Sequence, residues 1–187
     1  ASPFDISWFE YYSQRRPILL SERSGEANIR TFLSKARRKT LRQHLRRLND
    51  LGKVEWRVVV GHEIEPTCVD TFLRLEHMGW KKEKGSSLLS HADDEAFFRE
   101  MIKGFAQAGR AFFTELCANG KVISSTSNLI SGSAGFAFKI GWDQTFSRFG
   151  PGILNEVEFM KYFPEALPNI TYVDGGGEDG SYIENLW

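Results

Sequence analysis

The chain has 187 residues, 41% hydrophobic, 26% charged and 13% aromatic, which is the make-up of a globular domain with a sizeable core and excludes a disordered tail or a fibre. Its 24 Lys and Arg balance 24 Asp and Glu, which argues against a globally basic nucleic-acid binder but leaves room for local patches. Cys68 and Cys117 are too few for a disulfide scaffold or a four-cysteine zinc site, and no apolar run approaches the ~20 residues that span a bilayer.

Residues 1–28 are aromatic-rich and irregular, with Trp8, Phe9, Tyr11 and Tyr12 ahead of Arg15-Arg16-Pro17. A short apolar run, Ile18-Leu19-Leu20, closes at Ser24-Gly25. This stretch reads as the tail of a preceding unit or a strand covering the core. The opening Ala1-Ser2-Pro3-Phe4-Asp5 has neither a starting Met nor a signal-peptide pattern, so the chain reads as an excised piece of a soluble, cytoplasmic protein.

From Ile29 to Leu51, the apolar residues Ile29, Phe32, Leu33, Ala36, Leu41, Leu45, Leu48 and Leu51 recur mostly at three and four. That spacing predicts one helix, closed by Gly52. Val54 to Val60 is β-branched and reads as a strand. Pro66 opens a helix to about Met78, where its missing N–H costs nothing, and Gly79 stops it. Ser90 to about Ala108 is a further helix with Asp93 and Asp94 in its first turn. Arg110–Cys117 and Val122–Ile130 read as strands joined by an Asn119-Gly120 hairpin turn. Ser131-Gly132-Ser133 turns the chain into a third strand, Gly135–Trp142. A loop at 143–152, a helix from about Ile153 to Phe163 and a last strand, Asn169–Asp174, complete the order. The domain proper is placed at 29–187.

One segment carries a chemical expectation of its own. The strand Phe136-Ala137-Phe138-Lys139-Ile140-Gly141-Trp142 delivers the chain into Arg148-Phe149-Gly150-Pro151-Gly152-Ile153-Leu154. A helix beginning behind such a loop presents unpaired N–H groups and a partial positive charge, a seat for a pyrophosphate. Gly150 and Gly152 let backbone approach phosphate, and Arg148 can pair with it bidentately. A tight Pro-Gly turn before a surface helix, with Arg148 solvated, would use the same residues.

The helix region is locally basic. Arg30, Lys35, Arg37, Arg38, Lys39, Arg42, Arg46, Arg47 and Lys53 face Asp50 alone between residues 30 and 53. This concentration suits phosphates of RNA, CoA or an anionic surface, or simply the solvated side of an amphipathic helix. Other signals are declined. Gly175-Gly176-Gly177-Glu178-Asp179-Gly180 satisfies G-x-G-x-x-G, but its acids repel phosphate and no βαβ unit follows. Ser133 does not sit in a nucleophile elbow. His44, His62, His77 and His91 lack metal-ligand spacing, so no metal is expected. Cys117 reads as a small buried hydrophobe.

Two helices, three antiparallel strands and a crossover helix to a further strand is the order of a GNAT acyltransferase core. Leu33-Ser34-Lys35-Ala36-Arg37-Arg38 and Leu75-Glu76-His77-Met78-Gly79-Trp80-Lys81 followed by Gly85 resemble the CelD-like acetyltransferase domain, a FemAB-related branch of the GNAT superfamily. Trp142-Asp143, Pro151-Gly152-Ile153-Leu154 and Asp174 fall in matching order, so the resemblance spans roughly residues 30–187. It implies an α+β fold with a mixed, largely antiparallel sheet flanked by helices, incomplete at the C-terminus. It also implies an N-acyltransferase using acetyl-CoA or another acyl-CoA as co-substrate. The pyrophosphate would lie at Arg148, Gly150, Gly152 and Ile153, and pantetheine along Lys139, Ile140 and Gly141.

The chain departs from the family in two places. Arg148-Phe149-Gly150-Pro151-Gly152 is one residue shorter than the usual Gln/Arg-x-x-Gly-x-Gly/Ala signature. Trp187 comes near the point where such folds add a helix and two strands, so either a piece has been removed or the remainder comes from residues 1–28 or a partner.

An amine acceptor, a small molecule or polysaccharide precursor, must lose a proton before it attacks a thioester. Glu115 in mid-strand, and Asp143 and Asp174 at strand ends that face ligand crevices in α/β sheets, are the candidate bases. Tyr172 and Tyr182 are candidate acids toward the thiolate. Trp80 and Lys81 are expected to line the acceptor site, or Trp80 to pack under a helix stop. Two other readings follow from the same residues: a Fem-like transferase using aminoacyl-tRNA through the basic helix, and a catalytically silent scaffold domain.

Overall fold

The structure is a computed structural model that describes Ser13 and residues 15–21, 25–177 and 182–187. Trp8, Phe9, Tyr11, Tyr12 and the end of the glycine loop, 178–180, for which the sequence gives expectations, lie outside the described residues. The chain order is β1 (Ile18–Leu20), α1 (Gly25–Phe32), α2 (Lys35–Asn49), β2 (Val54–Val60), α3 (Pro66–Glu76), α4 (Trp80–Glu83), α5 (Ala92–Gln107), β3 (Ala111–Ala118), β4 (Lys121–Ser131), β5 (Ala134–Trp142), α6 (Pro151–Ala166) and β6 (Tyr172–Asp174).

The helix expected over 29–51 is two helices. The first begins at Gly25, ahead of the apolar periodicity. The break falls at Leu33-Ser34, where the Ser34 hydroxyl accepts from the Arg37 N–H at 3.2 Å and caps α2. A serine that caps offers the backbone an alternative to continuing the turn, and it frees Leu33 to enter the core at 2% exposure. The last strand is shorter than expected. Residues 169–171 turn instead, with the Ile170 N–H bonded to Leu167 and that of Thr171 to Ser133.

The six strands form one sheet in the order β1-β6-β5-β4-β3-β2. Every pair is antiparallel except β5 with β6, which α6 connects as a crossover. Asn119 and Gly120 both have positive φ, 51° and 74°, as a two-residue turn matched to strand twist requires. On one face α1, α2 and α6 bury Phe112, Phe159, Met160, Phe163 and Val173. On the other, α3 and α5 bury Val69, Phe72, Phe98, Ile102 and Phe113. Each such side chain stabilises the fold by about 1.5–3 kcal/mol. A third cluster, with Leu48, Leu116, Ile123 and Leu154, ties α2 to the sheet.

β6 pairs with β5 only at Ala134–Phe136, whereas β5 continues to Trp142. Gly176, just after β6, still lies against the Ala137 carbonyl; among the described residues, the β6 side of 138–142 is therefore a free strand edge in the interior of the sheet order.

Candidate active site

The free edge of β5 has a defined polarity. Lys139 and Gly141 turn their carbonyls toward β4, where Ser127 and Ser124 donate to them. Ile140 turns its carbonyl outward, and there the Lys81 ammonium donates to it at 2.7 Å. Lys81 comes from the start of α4, immediately after the Gly79 stop. Beneath it lies Glu76, the last residue of α3, whose side chain has no exposed surface. Its Oε1 is 3.3 Å from both Lys81 and Lys139, and its Oε2 accepts the Leu88 N–H at 2.9 Å. Burial lowers the Lys81 pKa, and Glu76 pulls partly against that.

Sequence reasoning placed Lys81 and Lys139 in different roles. The structure brings both to one carboxylate. Glu76 does not stand out as an acid in the sequence. The signal existed: it stands at i+7 from Val69 and i+4 from Phe72, on the apolar stripe of α3.

Below the free edge the chain enters the loop and α6. Asp143 caps that turn, accepting from the Thr145 N–H at 3.0 Å and hydroxyl at 2.7 Å, with Lys121 at 2.7 Å. Burial works to raise its pKa, but these donors outweigh it and the net shift is downward. Gly150 takes the left-handed conformation (φ 61°, ψ 56°), and no side chain caps the first turn of α6. Gly152 packs against Ile140 and Trp142, while Ile153 is half-buried beside the α6 core. Arg148 turns toward α2, over the Phe149 ring and across a cleft from Arg47 and Asp50.

The remaining predicted residues are dispersed. Glu115 points to the α3 face from β3, two strands and ~10 Å from β5. Arg57 holds its Oε2 at 2.7 Å, and its buried Oε1 has no partner. Asp174 ends β6 opposite Phe136, just before the free edge begins, and binds Arg16 at 3.0 Å and the Gly176 N–H at 2.8 Å. Tyr172 lies two residues further back on β6, and the Tyr182 side chain lies outside the described part. Trp80 is 55% exposed with Lys84 over its ring, so it does not pack beneath the helix stop.

A buried polar set missed by sequence reasoning lies on the α6 face. Thr126 donates to Glu156, and Asn155 bonds Trp56, Thr114 and Thr126. Burial pushes Glu156 up to about 7, the Thr126 hydroxyl opposing it.

Seven of the fifteen residues of α2 are Lys or Arg and none is acidic. Lys35, Arg38 and Arg42 line a cleft of about 530 Å³ with α1 and α6. Among the described residues, no His, Cys, Asp and Glu group gathers to hold a metal, and no helix is long and apolar enough to cross a membrane.

Comparisons with known proteins agree on the fold. FemX matches with a TM-score of 0.65 at 12% identity, over 94% of this chain and 59% of its own. A conserved protein of unknown function from Bacteroides thetaiotaomicron matches at 0.55 and 19%, over 91% and 53%. The L-PGS structure from Bacillus licheniformis matches at 0.51 and 15%, over 92% and 51%. The chain thus spans about half to three-fifths of these proteins. No curated protein sequence matches it significantly. The model of the acetyltransferase (GNAT) domain family matches residues 35–182. By that match, and by the mixed sheet parting between β5 and β6, the chain belongs to the GNAT acetyltransferase family.

Proposed function

We propose that the chain transfers an acyl group, most simply acetyl from acetyl-CoA, to an amine, and does so in the cytoplasm, where acyl-CoA is made. The observation that supports this most is the free edge of β5 running into the uncapped first turn of α6. The residues present fit such a donor. No side chain caps the first turn of α6, so its backbone N–H groups are unspent, and Arg148, three residues before Pro151, lines a neighbouring cleft with Arg47 and Asp50. Ile140 offers its outward carbonyl to an amide of the pantetheine arm, provided Lys81 yields it.

The bound thioester supplies the acyl carbon. Ile140, whose carbonyl faces the free edge, orients the arm, and Asp174, where the strands part, accepts the proton that an ammonium must lose. Glu115, two strands from the free edge, and Asp143, whose two oxygens are taken by Lys121 and Thr145, are assigned structural work; Asp174 is also paired, with Arg16 and the Gly176 N–H, and is chosen for its place where the edge opens. The acceptor is a small-molecule or polysaccharide-precursor amine.

Calorimetric titration with acetyl-CoA tests the reading. Micromolar binding, weakened at least tenfold by Arg148→Ala and by Gly150→Asp, is expected. No binding by the folded chain would overturn it.

One observation favours a second reading, aminoacyl transfer from aminoacyl-tRNA. The acid-free α2 extends ~22 Å and its C-terminal end meets Arg148. Binding of tRNA with a steep salt dependence, in the absence of CoA binding, would select it.

A further inference from the structure

The cluster at Glu76 holds more cationic charge than its carboxylate can neutralise. Two ammonium groups share one Oε1, and Oε2 is taken by the Leu88 N–H. An ammonium has three donors. Lys81 directs one to Ile140 and one to Glu76; Lys139 directs one to Glu76. Three N–H donors are left without a protein acceptor among the described residues. Both side chains keep one side open, at 19% and 29% exposure. A buried ion pair built for stability alone would match its charges, because uncompensated charge in a partly buried place is costly.

The surroundings indicate what the excess charge faces. Lys139 and Gly141 share the α3 face of β5, opposite the face on which Gly152 and α6 pack. Phe138, at the bulge beside Lys139, is 42% exposed and stacks on Phe98. The unspent donors thus border an open apolar surface next to the free edge.

We infer that Lys81 and Lys139, held by Glu76, form an anion seat that selects acceptor amines carrying a phosphate or carboxylate. This rests on the acyl-transfer reading of the free edge and narrows its substrate class. A carboxylate, with one negative charge, brings the cluster to electrical balance, and a phosphate, with about one and a half to two, more than offsets it; either gives acceptor oxygens to the remaining donors. A neutral amine leaves them to water.

Matched amines test it: O-phosphoethanolamine, β-alanine and ethanolamine, assayed by acetyl-CoA-dependent thiol release. The anionic acceptors are expected to exceed ethanolamine at least tenfold in kcat/KM, and which of the two leads tells phosphate from carboxylate. Lys139→Met and Lys81→Met, each leaving Glu76 one cation, should bring that ratio near one. A ratio near one in the unaltered chain, or a ratio that survives both substitutions, overturns the seat. So does an equal fall for all three amines, which would place the lysines on the reacting carbonyl.

Binding of inorganic phosphate and of acetate, followed by NMR at fixed ionic strength, reads the seat without turnover. Saturable binding, weakened at least fivefold in each Met variant, supports it, and its absence overturns it. A chain that binds phosphate in this way but not acetyl-CoA would retain the seat and lose the acyl-transfer reading.

Discussion

A Cβ on Gly141 would collide with the backbone nitrogen of Glu76. The strand that carries the free edge is therefore in backbone contact with the end of the helix that carries the buried acid. No side chain fits between them, and backbone on both sides cannot rotate away. Gly141→Ala is expected to force α3 outward at a cost of about 1–3 kcal/mol. For a chain of this size that is a fall in Tm of several degrees. Because Glu76 moves with α3, Lys81 and Lys139 separate as well. Thermal unfolding checks the first consequence, and loss of anion binding in the still-folded variant checks the second. An unchanged Tm would show that the contact is looser than drawn.

Glu156 supplies a pH dependence whose sign is fixed by burial. Its pKa stands near 7 in the folded chain against an ordinary 4.5. A carboxyl whose folded value is raised contributes fully below the unfolded value and loses that contribution as pH rises through the folded one. Between pH 4.5 and 8 this amounts to as much as roughly 3 kcal/mol. Glu156→Gln keeps an acceptor for Thr126 and cannot ionise. Urea unfolding over a pH series should show the unaltered chain falling away from the variant above pH 5. Parallel curves would mean that Glu156 is better solvated than its packing indicates.

Local chemistry was legible wherever one element decided it. Val54–Val60, the Asn119-Gly120 hairpin and the start of α3 at Pro66 follow from β-branching, turn geometry and ring closure, and they stand within a residue of expectation. The break between α1 and α2 was not legible, because Ser34 fits a helix surface as readily as a cap until Leu33 is seen to turn inward. The site divided in the same way. Lys81, Lys139 and Ile140 could be named one by one. Their meeting at Glu76 depends on α3 crossing β5 at Gly141, a tertiary contact that no local spacing encodes. The loop sequence points Arg148 at a phosphate, and its sharing of a cleft with Arg47 depends on the placement of α2.

The pairing of Arg57 with Glu115 allows a test of whether Glu115 is a structural acid or a base. Glu115 has 1% of its side chain exposed, and one of its oxygens is already unpartnered. Arg57→Met leaves the carboxylate with no cation. The expected cost is about 2–4 kcal/mol, toward the low end for a buried pair because Arg57 is half-exposed. Adding Glu115→Gln removes the stranded charge and should recover part of that loss. Denaturant unfolding of the two variants measures it. If Glu115→Gln alone abolished acyl transfer at unchanged stability, Glu115 would be a base and its assignment here would be wrong.

Asp143 titrates in the opposite sense to Glu156. Its folded pKa lies below the ordinary carboxylate value, because the donors from Lys121 and Thr145 outweigh its burial. The stability it contributes is therefore present above the unfolded value, ~3.8, and is lost as pH falls through the folded one. Asp143→Asn keeps an oxygen for Thr145 and gives up the charge that Lys121 faces. At pH 7 the substitution should cost about 1–2 kcal/mol, less than a fully buried charged hydrogen bond, because Lys121 is 54% exposed. The gap should narrow as the pH is lowered below 4, and 1 M salt should shrink it at neutral pH. A gap independent of both would assign the cost to altered loop packing and not to the charge.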